Sequence, residues 1–339
     1  MNIILNYHQL NEIFLNKDKY EDWFYILDKA EVKIHLYLAD LELDDSIKSR
    51  ISDFSLSFNN GSNITIFNNI IDIDIEPNYV ILDKRISVIN RGNLLVDDAV
   101  LQNPFKLNYF KNLIKGKTSN NWKVLFNERN LVSNSLIIND PYILHINDNK
   151  RNRNNDKANN QRDINILYLI DSILPKDLDV PYHILIVTDK NKDLKDFQIN
   201  TFYKYIPDLI TKIESLRSYE IKVEVVIDKA FHKRKLFTNF LNVTTDKGFK
   251  IFDDQEDEVL DNNDLLIETM YTRNNTDSSG DTQYDEMKIR ILELKEYLKK
   301  SLKLSNLNSL SIHDKTYYFS NFEQTEIIEI KNRLFNAII

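Results

Sequence analysis

An alternation of apolar strands with amphipathic helices between residues 135 and 227 is the feature that most constrains this fold. Three short runs are almost entirely apolar, as strands buried on both faces are, at 135–138, 183–187 and 221–227. Helical periodicity occupies the stretches between them, at 164–174 and 206–216. Since strand–helix–strand crossovers join parallel strands, we predict a partly parallel sheet covered by helices.

The chain beyond residue 227 extends this pattern with antiparallel elements. Two further strands are expected near residues 235–243 and 248–252, and a strand over 142–146 is expected earlier in the region. Residues 286–304 have the spacing of an amphipathic helix, and 317–339 predict a short strand and a final helix. This part of the chain therefore reads as α/β.

The first part of the chain has a different organisation. Residues 8–30 predict two helical pieces, 32–38 alternate as a half-buried strand does, and a helix is expected near 44–54. Residues 62–96 are strand-like with turn signals between the runs, which predicts a β-meander, and 105–114 predict a helix. We therefore expect a mixed α+β region here.

A chain of 339 residues is too long for one ordinary hydrophobic core and suits two. We predict an N-terminal α+β domain over 1–130 and a C-terminal α/β domain over 131–339. Polar stretches at 147–162 and 253–285 are expected to form flexible loops within the second domain.

The composition excludes several chemistries. The chain has no cysteine, so disulfides, thiolate metal sites and thiol nucleophiles are excluded. Its 5 glycines form neither a phosphate-binding loop nor a dinucleotide fingerprint, and no Gly-x-Ser-x-Gly elbow occurs. The 6 histidines are scattered, and we expect neither a metal site nor a cofactor.

Carboxylates offer one alternative to that expectation. Asp72, Asp74 and Glu76 would point to one face of a strand and could hold magnesium, although the same alternation is typical of a half-solvated strand. Asp40, Asp140 and Asp189 each follow a predicted strand, where α/β sites lie, and suit turns equally well.

Charge and hydropathy indicate the compartment. The net charge of −8 divides evenly between residues 1–150 and 151–339, so neither part is a basic module as a whole. The N-terminus lacks the features of a signal peptide, and no apolar run is long enough to span a bilayer. We therefore expect a cytoplasmic protein without a membrane span.

The sharpest chemical lead lies between two predicted strands, at residues 230–239 (AFHKRKLFTN). Its residues, and its place in a β-α-β-α-β-β-β order, resemble one half of a phospholipase-D-like domain over about residues 136–253. The family motif is His-x-Lys, four residues, then Asp, with Gly-Ser-x-Asn further on. The resemblance implies that His232 would attack phosphorus while a cation holds the phosphate.

This chain departs from the family pattern at several positions. Arg234 stands where the family has Lys, Asn239 where it has Asp, and Phe249 follows Gly248 where the family has Ser. Only one such motif occurs, whereas catalysis in the family needs two. The resemblance thus implies a degenerate domain that binds partners, membranes or nucleic acid. Alternatively, His232 begins a strand and the basic residues form a solvated turn.

Basic residues cluster around this lead. Between residues 222 and 250 there are 7 basic and 3 acidic side chains. We predict phosphate or nucleic-acid contacts from the motif residues and from a second cluster in the polar loop: Lys233, Arg234, Lys235, Asn239, Lys150, Arg151 and Arg153. Bases could stack on Tyr203, Phe231 or Phe237. Two solvated faces remain the alternative, and the acidic stretch 253–285 could be a flap over the patch or a flexible insertion.

These observations predict a non-catalytic binding or accessory subunit of a bacterial multi-component assembly, with protein partners and with nucleic acid as a further ligand, as in a defence or mobile-element system. One alternative is a phosphodiesterase or nuclease whose chains complete a site by dimerising, with His232 as its catalytic residue. A second alternative is a scaffold that binds proteins only.

Overall fold

A computed structural model describes the structure of this protein over residues 2–28, 32–38, 41–58, 64–68, 79–81, 94–95, 109–117, 121–127, 133–144, 165–189, 196–228, 234–252, 258–269, 283–305, 315–323 and 329–337. The strands in these ranges form a five-stranded sheet, an eight-stranded sheet and a small two-stranded sheet. Helices lie between the strands and after the last of them, so the expected mixture of α/β and α+β organisation is confirmed.

The elements are numbered in chain order. The helices are α1 (Tyr7–Leu15), α2 (Glu21–Leu27), α3 (Asp45–Ser57), α4 (Trp122–Asn127), α5 (165–173), α6 (Asp196–Glu214), α7 (Gln283–Ser305) and α8 (Leu334–Ala337). The strands are β1 (Asn2–Asn6), β2 (Lys33–Tyr37), β3 (Ile64–Phe67), β4 (Tyr79–Ile81), β5 (Leu94–Leu95), β6 (Tyr109–Leu113), β7 (Gly116–Lys117), β8 (Ser135–Asn139), β9 (Tyr182–Thr188), β10 (Ile221–Ile227), β11 (Arg234–Thr238), β12 (Leu241–Thr245), β13 (Glu258–Val259), β14 (Asn263–Thr269) and β15 (Tyr317–Ser320).

The five-stranded sheet has the order β3-β2-β1-β4-β5, and every neighbouring pair in it is parallel. The predicted meander is therefore wrong, because a meander pairs consecutive strands antiparallel. Helices return the chain from β1 to β2 and from β2 to β3, and such crossovers produce parallel neighbours. The alternation of apolar residues identified the strands but carried no information about their partners.

The first crossover begins without a loop. Asn6 ends β1 and caps α1, because its side chain accepts from the Gln9 backbone N–H while the Gln9 side chain accepts from the Asn6 backbone N–H. One face of the sheet, with Ile3 and Leu36, packs against apolar residues of α1 and α3 such as Leu10 and Phe54. Burial of this face stabilises the parallel arrangement.

The eight-stranded sheet has the order β15-β10-β9-β8-β11-β12-β14-β6. Strands β8, β9 and β10 are parallel and are joined through α5 and α6, as the apolar runs predict. The remaining neighbours in this sheet are antiparallel, including β11 beside β8. This confirms the predicted partly parallel sheet.

Helices cover both faces of this sheet because its central strands are apolar on both sides. Ile184 and Ile186 of β9 belong to the cluster that contains the α5 and α6 side chains. Leu185 and Val187 point the other way and belong to the cluster that contains Met287, Ile291, Leu294 and Leu298 of α7. The result is a three-layer arrangement with the sheet in the middle.

An arginine joins the end of α5 to the start of β10. The Arg217 guanidinium bonds to the Asp171 carboxylate and donates to the backbone carbonyls of Asp171, Leu174 and Pro175. Lys123 of α4 lies 3.1 Å from the other carboxylate oxygen of Asp171. Burial opposes ionisation of Asp171, but Arg217 and Lys123 together hold its pKa below the usual value.

Several local predictions differ from the structure. Tyr109–Leu113, inside the predicted helix 105–114, is the strand β6, and residues 141–144 form a turn rather than the start of a strand. The single strand expected over 235–243 is a hairpin of β11 and β12. Strand β6 lies in the range predicted for the first domain but pairs with β14 of the second sheet.

No helix in the described part of the chain combines the length and the apolar character that a bilayer span requires.

Candidate functional site

The order of the strands reverses at the carboxyl end of β8. From β8 the chain moves through β9 to β10 on one side, and it then returns to β11 on the other side of β8. Ligands of α/β sheets bind outside the carboxyl ends of strands at such reversals. The residues that follow β8 and the first residue of β11 therefore define the candidate site.

A buried carboxylate organises this reversal. Asp140 is fully buried, and its Oδ1 accepts from the Tyr142 backbone N–H at 2.9 Å while Oδ2 accepts from the Phe249 backbone N–H at 2.7 Å. Gly248 has a φ of +103°, and a Cβ on it would lie 2.8 Å from Asp140 Oδ2. Only glycine fits there without strain, so the Asp140 carboxylate fixes the turn after β8 against the loop after β12.

Tyr142 and Arg234 lie together above this carboxylate. The Arg234 guanidinium carbon is 5.1 Å from the centroid of the Tyr142 ring, and its Nη1 donates to the Asp246 backbone carbonyl. Arg234 is partly buried, whereas Tyr142 is 48% exposed. The cation that the resemblance assigns to phosphate is thus engaged with Tyr142 and Asp246.

Asn239 lies at the opposite end of β11 and is buried. Its Oδ1 accepts from the backbone N–H groups of Asn134 and Ser135 at 2.9 and 3.1 Å, and its Nδ2 donates to the Asn134 side chain. These bonds hold the β11–β12 hairpin against the start of β8. The structure does not bring Asn239 to Arg234 at the candidate site.

Lys235 is buried beneath α7 rather than exposed to solvent. Its Nζ lies 3.3 Å from Glu286 Oε1. Burial raises the pKa of Glu268. The charge of Lys235 lowers this pKa and the charge of Glu286 raises it, so the three side chains form one electrostatic group. Lys235 therefore balances two carboxylates inside the protein.

Other lysines of the predicted basic patch are dispersed. Lys222 pairs with Glu220 at 2.7 Å near the amino end of β10, and Lys247 pairs with Asp261 at 3.2 Å. Several predicted residues lie outside the described ranges: His232, Lys233, Phe231, Lys150, Arg151 and Arg153, together with Asp40, Asp72, Asp74 and Glu76. Phe237 is 2% exposed and belongs to the core, so it cannot stack a base, whereas Tyr203 is 53% exposed.

A carboxylate and two hydroxyl side chains meet at the carboxyl end of β10. Thr316 donates from Oγ1 to Asp228 Oδ2 at 2.9 Å. Burial and the neighbouring Asp228 raise the pKa of Tyr297, with a smaller effect from Asp189. Among the described residues, no group of three or more His, Asp or Glu side chains could hold a metal ion.

The middle of β10 contains a buried acid that the sequence pattern does not indicate. Glu224 of β10 is fully buried, and its Oε1 accepts from the Tyr318 hydroxyl and from the Lys331 backbone N–H, each at 2.8 Å. Its Oε2 accepts no hydrogen bond from any residue in the described ranges. Burial raises the pKa of Glu224 to about 7, although these donors oppose that rise.

His183 lies beside this acid and is packed, as expected for a histidine in an apolar strand. Its Nδ1 donates to the Lys331 carbonyl at 3.1 Å, and its ring meets Phe322 edge to face. Burial, with the charge of Arg333, lowers the pKa of His183 to about 4. Together, Glu224 and His183 hold the segment before α8 against the sheet.

The sequence analysis did not identify two of these residues, Tyr142 after β8 and Glu224 in β10. Tyr142 follows the Asp140-Pro141 turn, but the apolar pattern over 142–146 predicts a strand, which gives no reason for an exposed ring in a turn. Glu224 lies in an apolar run, where burial of a polar side chain costs free energy, so the pattern gave no reason to expect a buried carboxylate.

No protein-family model matches the chain, and no curated protein matches it either.

Proposed function

We propose that this protein is a non-catalytic binding subunit of a bacterial multi-component assembly and that nucleic acid is one of its ligands. The C-terminal part is proposed to be a degenerate phospholipase-D-like domain. The proposal extends to a cytoplasmic location, to protein partners within the assembly, and to a defence or mobile-element system as its setting.

The environment of Arg234 is the single observation that carries this proposal. A cation that serves phosphoryl transfer must be available to the phosphate, but Arg234 covers Tyr142 and donates to Asp246. Asn239 is likewise committed to backbone N–H groups. Residues at these two family positions support the fold, which favours binding over catalysis.

The position of the two basic runs supports nucleic acid as a ligand. Lys150, Arg151 and Arg153 follow Tyr142 in the sequence by 8 to 11 residues, and Lys233 directly precedes Arg234. The Tyr142–Arg234 contact lies at the carboxyl end of β8, between the described residues from which these two segments continue in the sequence. Backbone phosphates are the ligand class that such lysines and arginines attract.

Hydrolysis assays separate this proposal from the enzyme alternative. Purified protein is incubated with bis(4-nitrophenyl) phosphate and with labelled single- and double-stranded oligonucleotides, beside a His232→Asn variant. We expect both proteins to release product at the rate of the buffer alone. Turnover by the wild type that His232→Asn abolishes would establish the phosphodiesterase and reject the binding subunit.

A second assay separates the proposal from the protein-only scaffold. Affinity for a labelled oligonucleotide is measured at several salt concentrations, because phosphate contacts make binding weaken steeply with salt. We expect salt-dependent binding that the double substitution Lys150→Ala with Arg151→Ala weakens. Absence of binding at low salt would leave only the scaffold.

A further inference from the structure

A docked segment, residues 329–337, lies against β8, β9 and β10 without adding a strand to the sheet. Residues 329–332 belong to neither a helix nor a strand, and the short α8 follows them. Asn332 is fully buried, and its Oδ1 accepts from Ser135 Oγ at 2.9 Å while its Nδ2 donates to the Leu136 carbonyl at 3.2 Å. Bonds to side chains, rather than strand pairing, therefore attach these residues to the sheet.

Glu224 is the part of this attachment that can ionise. It is fully buried, and its carboxyl accepts from the backbone N–H groups of Lys331, at 2.8 Å from Oε1, and of Asn332. Its Oε2 is buried and accepts no hydrogen bond from the described residues. A proton keeps this carboxyl neutral, whereas ionisation places a negative charge where water does not reach it. Departure of the docked segment would open that side of the carboxyl to water.

The other charged and titratable groups at this place come from several elements. Tyr318 of β15 donates its hydroxyl to Glu224 Oε1 at 2.8 Å, and the charge of Lys331 favours the ionised acid. His183 of β9 donates from Nδ1 to the Lys331 carbonyl, and its pKa of about 4 keeps it neutral while Glu224 titrates. Four further charged side chains lie around His183 and the docked segment: Lys222, Glu220, Arg333 and Lys295 of α7.

We propose that Glu224 is a pH-sensitive switch: its protonated form holds the docked segment against the sheet, and its ionisation favours release of that segment while the sheet stays folded. The inference concerns regulation and does not depend on the proposed nucleic-acid binding. Release is local because β9 and β10 keep their strand partners when the docked segment leaves. Unfolding of the whole sheet is the alternative that the test must separate from it.

The direction and size of the effect follow from burial. An ionised carboxylate accepts hydrogen bonds more strongly, but burial outweighs that gain and raises the pKa of Glu224 from 4.5 to about 7. In the open form, contact with water returns this pKa toward 4.5. The equilibrium constant for opening should therefore rise with pH and level off above about pH 7. Between about pH 5 and about pH 8 the rise is about 50–100-fold.

The test is native-state amide hydrogen exchange over this pH range, corrected for the pH dependence of intrinsic exchange. The amides of Lys331 and Leu334, which donate to Glu224 and Asn332, report on the docked segment, and the amides of β9 report on the sheet. We expect exchange at the two reporters to be faster than in β9, to rise about 50–100-fold with pH, and to be insensitive to low urea, as local opening is. Reporters that exchange at the rate of β9, with the same urea dependence, would show opening of the whole sheet and overturn the inference.

Substitutions then assign the pH dependence to one carboxyl. Glu224→Gln keeps an acceptor at Oε1 but cannot ionise, so its corrected exchange at the reporters should be flat with pH, whereas the control Glu220→Gln should follow wild type. Tyr318→Phe removes a donor that favours the ionised acid, so the levelling should move to higher pH. Flat exchange in wild type, or a wild-type dependence that persists in Glu224→Gln, would overturn the switch. If Glu224→Gln does not fold, an unshifted profile in Tyr318→Phe would do so.

Discussion

Replacing Glu224 with glutamine should change how the stability of this protein depends on pH. Glu224 is fully buried on β10, and its Oε1 accepts from the Tyr318 hydroxyl and the Lys331 backbone N–H. Glutamine has nearly the same shape and can keep both of these hydrogen bonds through its own Oε1. The substitution therefore removes the ionisation while changing little else in the packing.

The magnitude follows from the pKa of Glu224. Burial raises this pKa from 4.5 in the unfolded chain to about 7 in the folded protein. Between pH 4.5 and about pH 7 the folded protein keeps a proton that the unfolded chain has released. The protonated acid therefore contributes its full stability below pH 4.5, and this contribution is lost as pH rises through about 7. The difference corresponds to about 3 kcal/mol.

The neighbouring His183 acts in the opposite direction. Burial, with the charge of Arg333, lowers its pKa to about 4, so the unfolded chain binds a proton that the folded protein excludes. Stability from this residue is lost as pH falls. In the wild type, His183 and Glu224 oppose each other in mildly acidic solution, whereas the glutamine variant retains only the histidine effect.

The assay is urea unfolding of wild type and Glu224→Gln, followed by circular dichroism at several values between about pH 5 and about pH 8. We expect the free energy of unfolding of the variant, relative to wild type, to rise by about 2–3 kcal/mol across this range. A constant offset could arise because the new amide nitrogen replaces Oε2, but that offset does not vary with pH.

The matched control is Glu220→Gln, because Glu220 is a half-exposed glutamate immediately before the same strand. It shows how far the loss of one partly solvated carboxylate changes the free energy of unfolding over the same range. If the Glu224→Gln difference were flat with pH, or changed no more than that of Glu220→Gln, the Glu224 carboxylate would titrate near its ordinary value, and the account of its burial would be refuted.

Three further substitutions test contacts that shape the site and the sheet. Gly248→Ala should destabilise the protein by about 2–3 kcal/mol, since its φ of +103° and the close approach to Asp140 both exclude a Cβ; a melting temperature equal to wild type would contradict this. Arg217→Ala should cost about 2–4 kcal/mol in urea unfolding, because the Asp171 carboxylate and three backbone carbonyls lose a partly buried donor. Replacement of the half-exposed Lys123 by alanine should cost less than about 1 kcal/mol. Equal losses of unfolding free energy in Arg217→Ala and Lys123→Ala would show that the hydrogen bonds of the Arg217 guanidinium add nothing to stability. Asn239→Ala should cost about 2–4 kcal/mol, because two buried backbone N–H groups lose their acceptor. Amide hydrogen exchange at those two positions should rise, and unchanged protection would argue against the assigned bonds.

Strong periodicity is what made much of the second sheet predictable. The continuous apolar runs that became β8, β9 and β10 can satisfy their backbone and bury their side chains only inside a covered sheet. The stripe of α6 and the spacing of α7 are long enough to distinguish a helix from a strand. In these elements, local pattern and tertiary packing favour the same structure.

The errors occurred where distant partners decide the structure. Phe105, Tyr109 and Leu113 have helical spacing, but β6 forms because β14 supplies an edge that lies far away in the sequence. Strands β1, β2 and β3 of the first sheet pair in parallel because helices separate them along the chain, and alternation alone does not encode that order.

The candidate site was only partly predictable for a related reason. The sequence placed Arg234 and Asn239 in one motif, yet they lie at opposite ends of β11 and bond to different parts of the fold. The roles of Asp140 and Gly248 depend on a contact between the ends of β8 and β12, which no local spacing shows.

Recovery of an intact, bound oligonucleotide is the measurement that tests the central claim most directly. An end-labelled single strand is incubated with excess protein at low salt, its anisotropy is read, and the same sample is then resolved by length on a denaturing gel. The account predicts high anisotropy, reversal by added salt, and a strand of undiminished length. A shortened strand, or anisotropy that never rises above that of free oligonucleotide, would contradict a protein that binds nucleic acid without cleaving it.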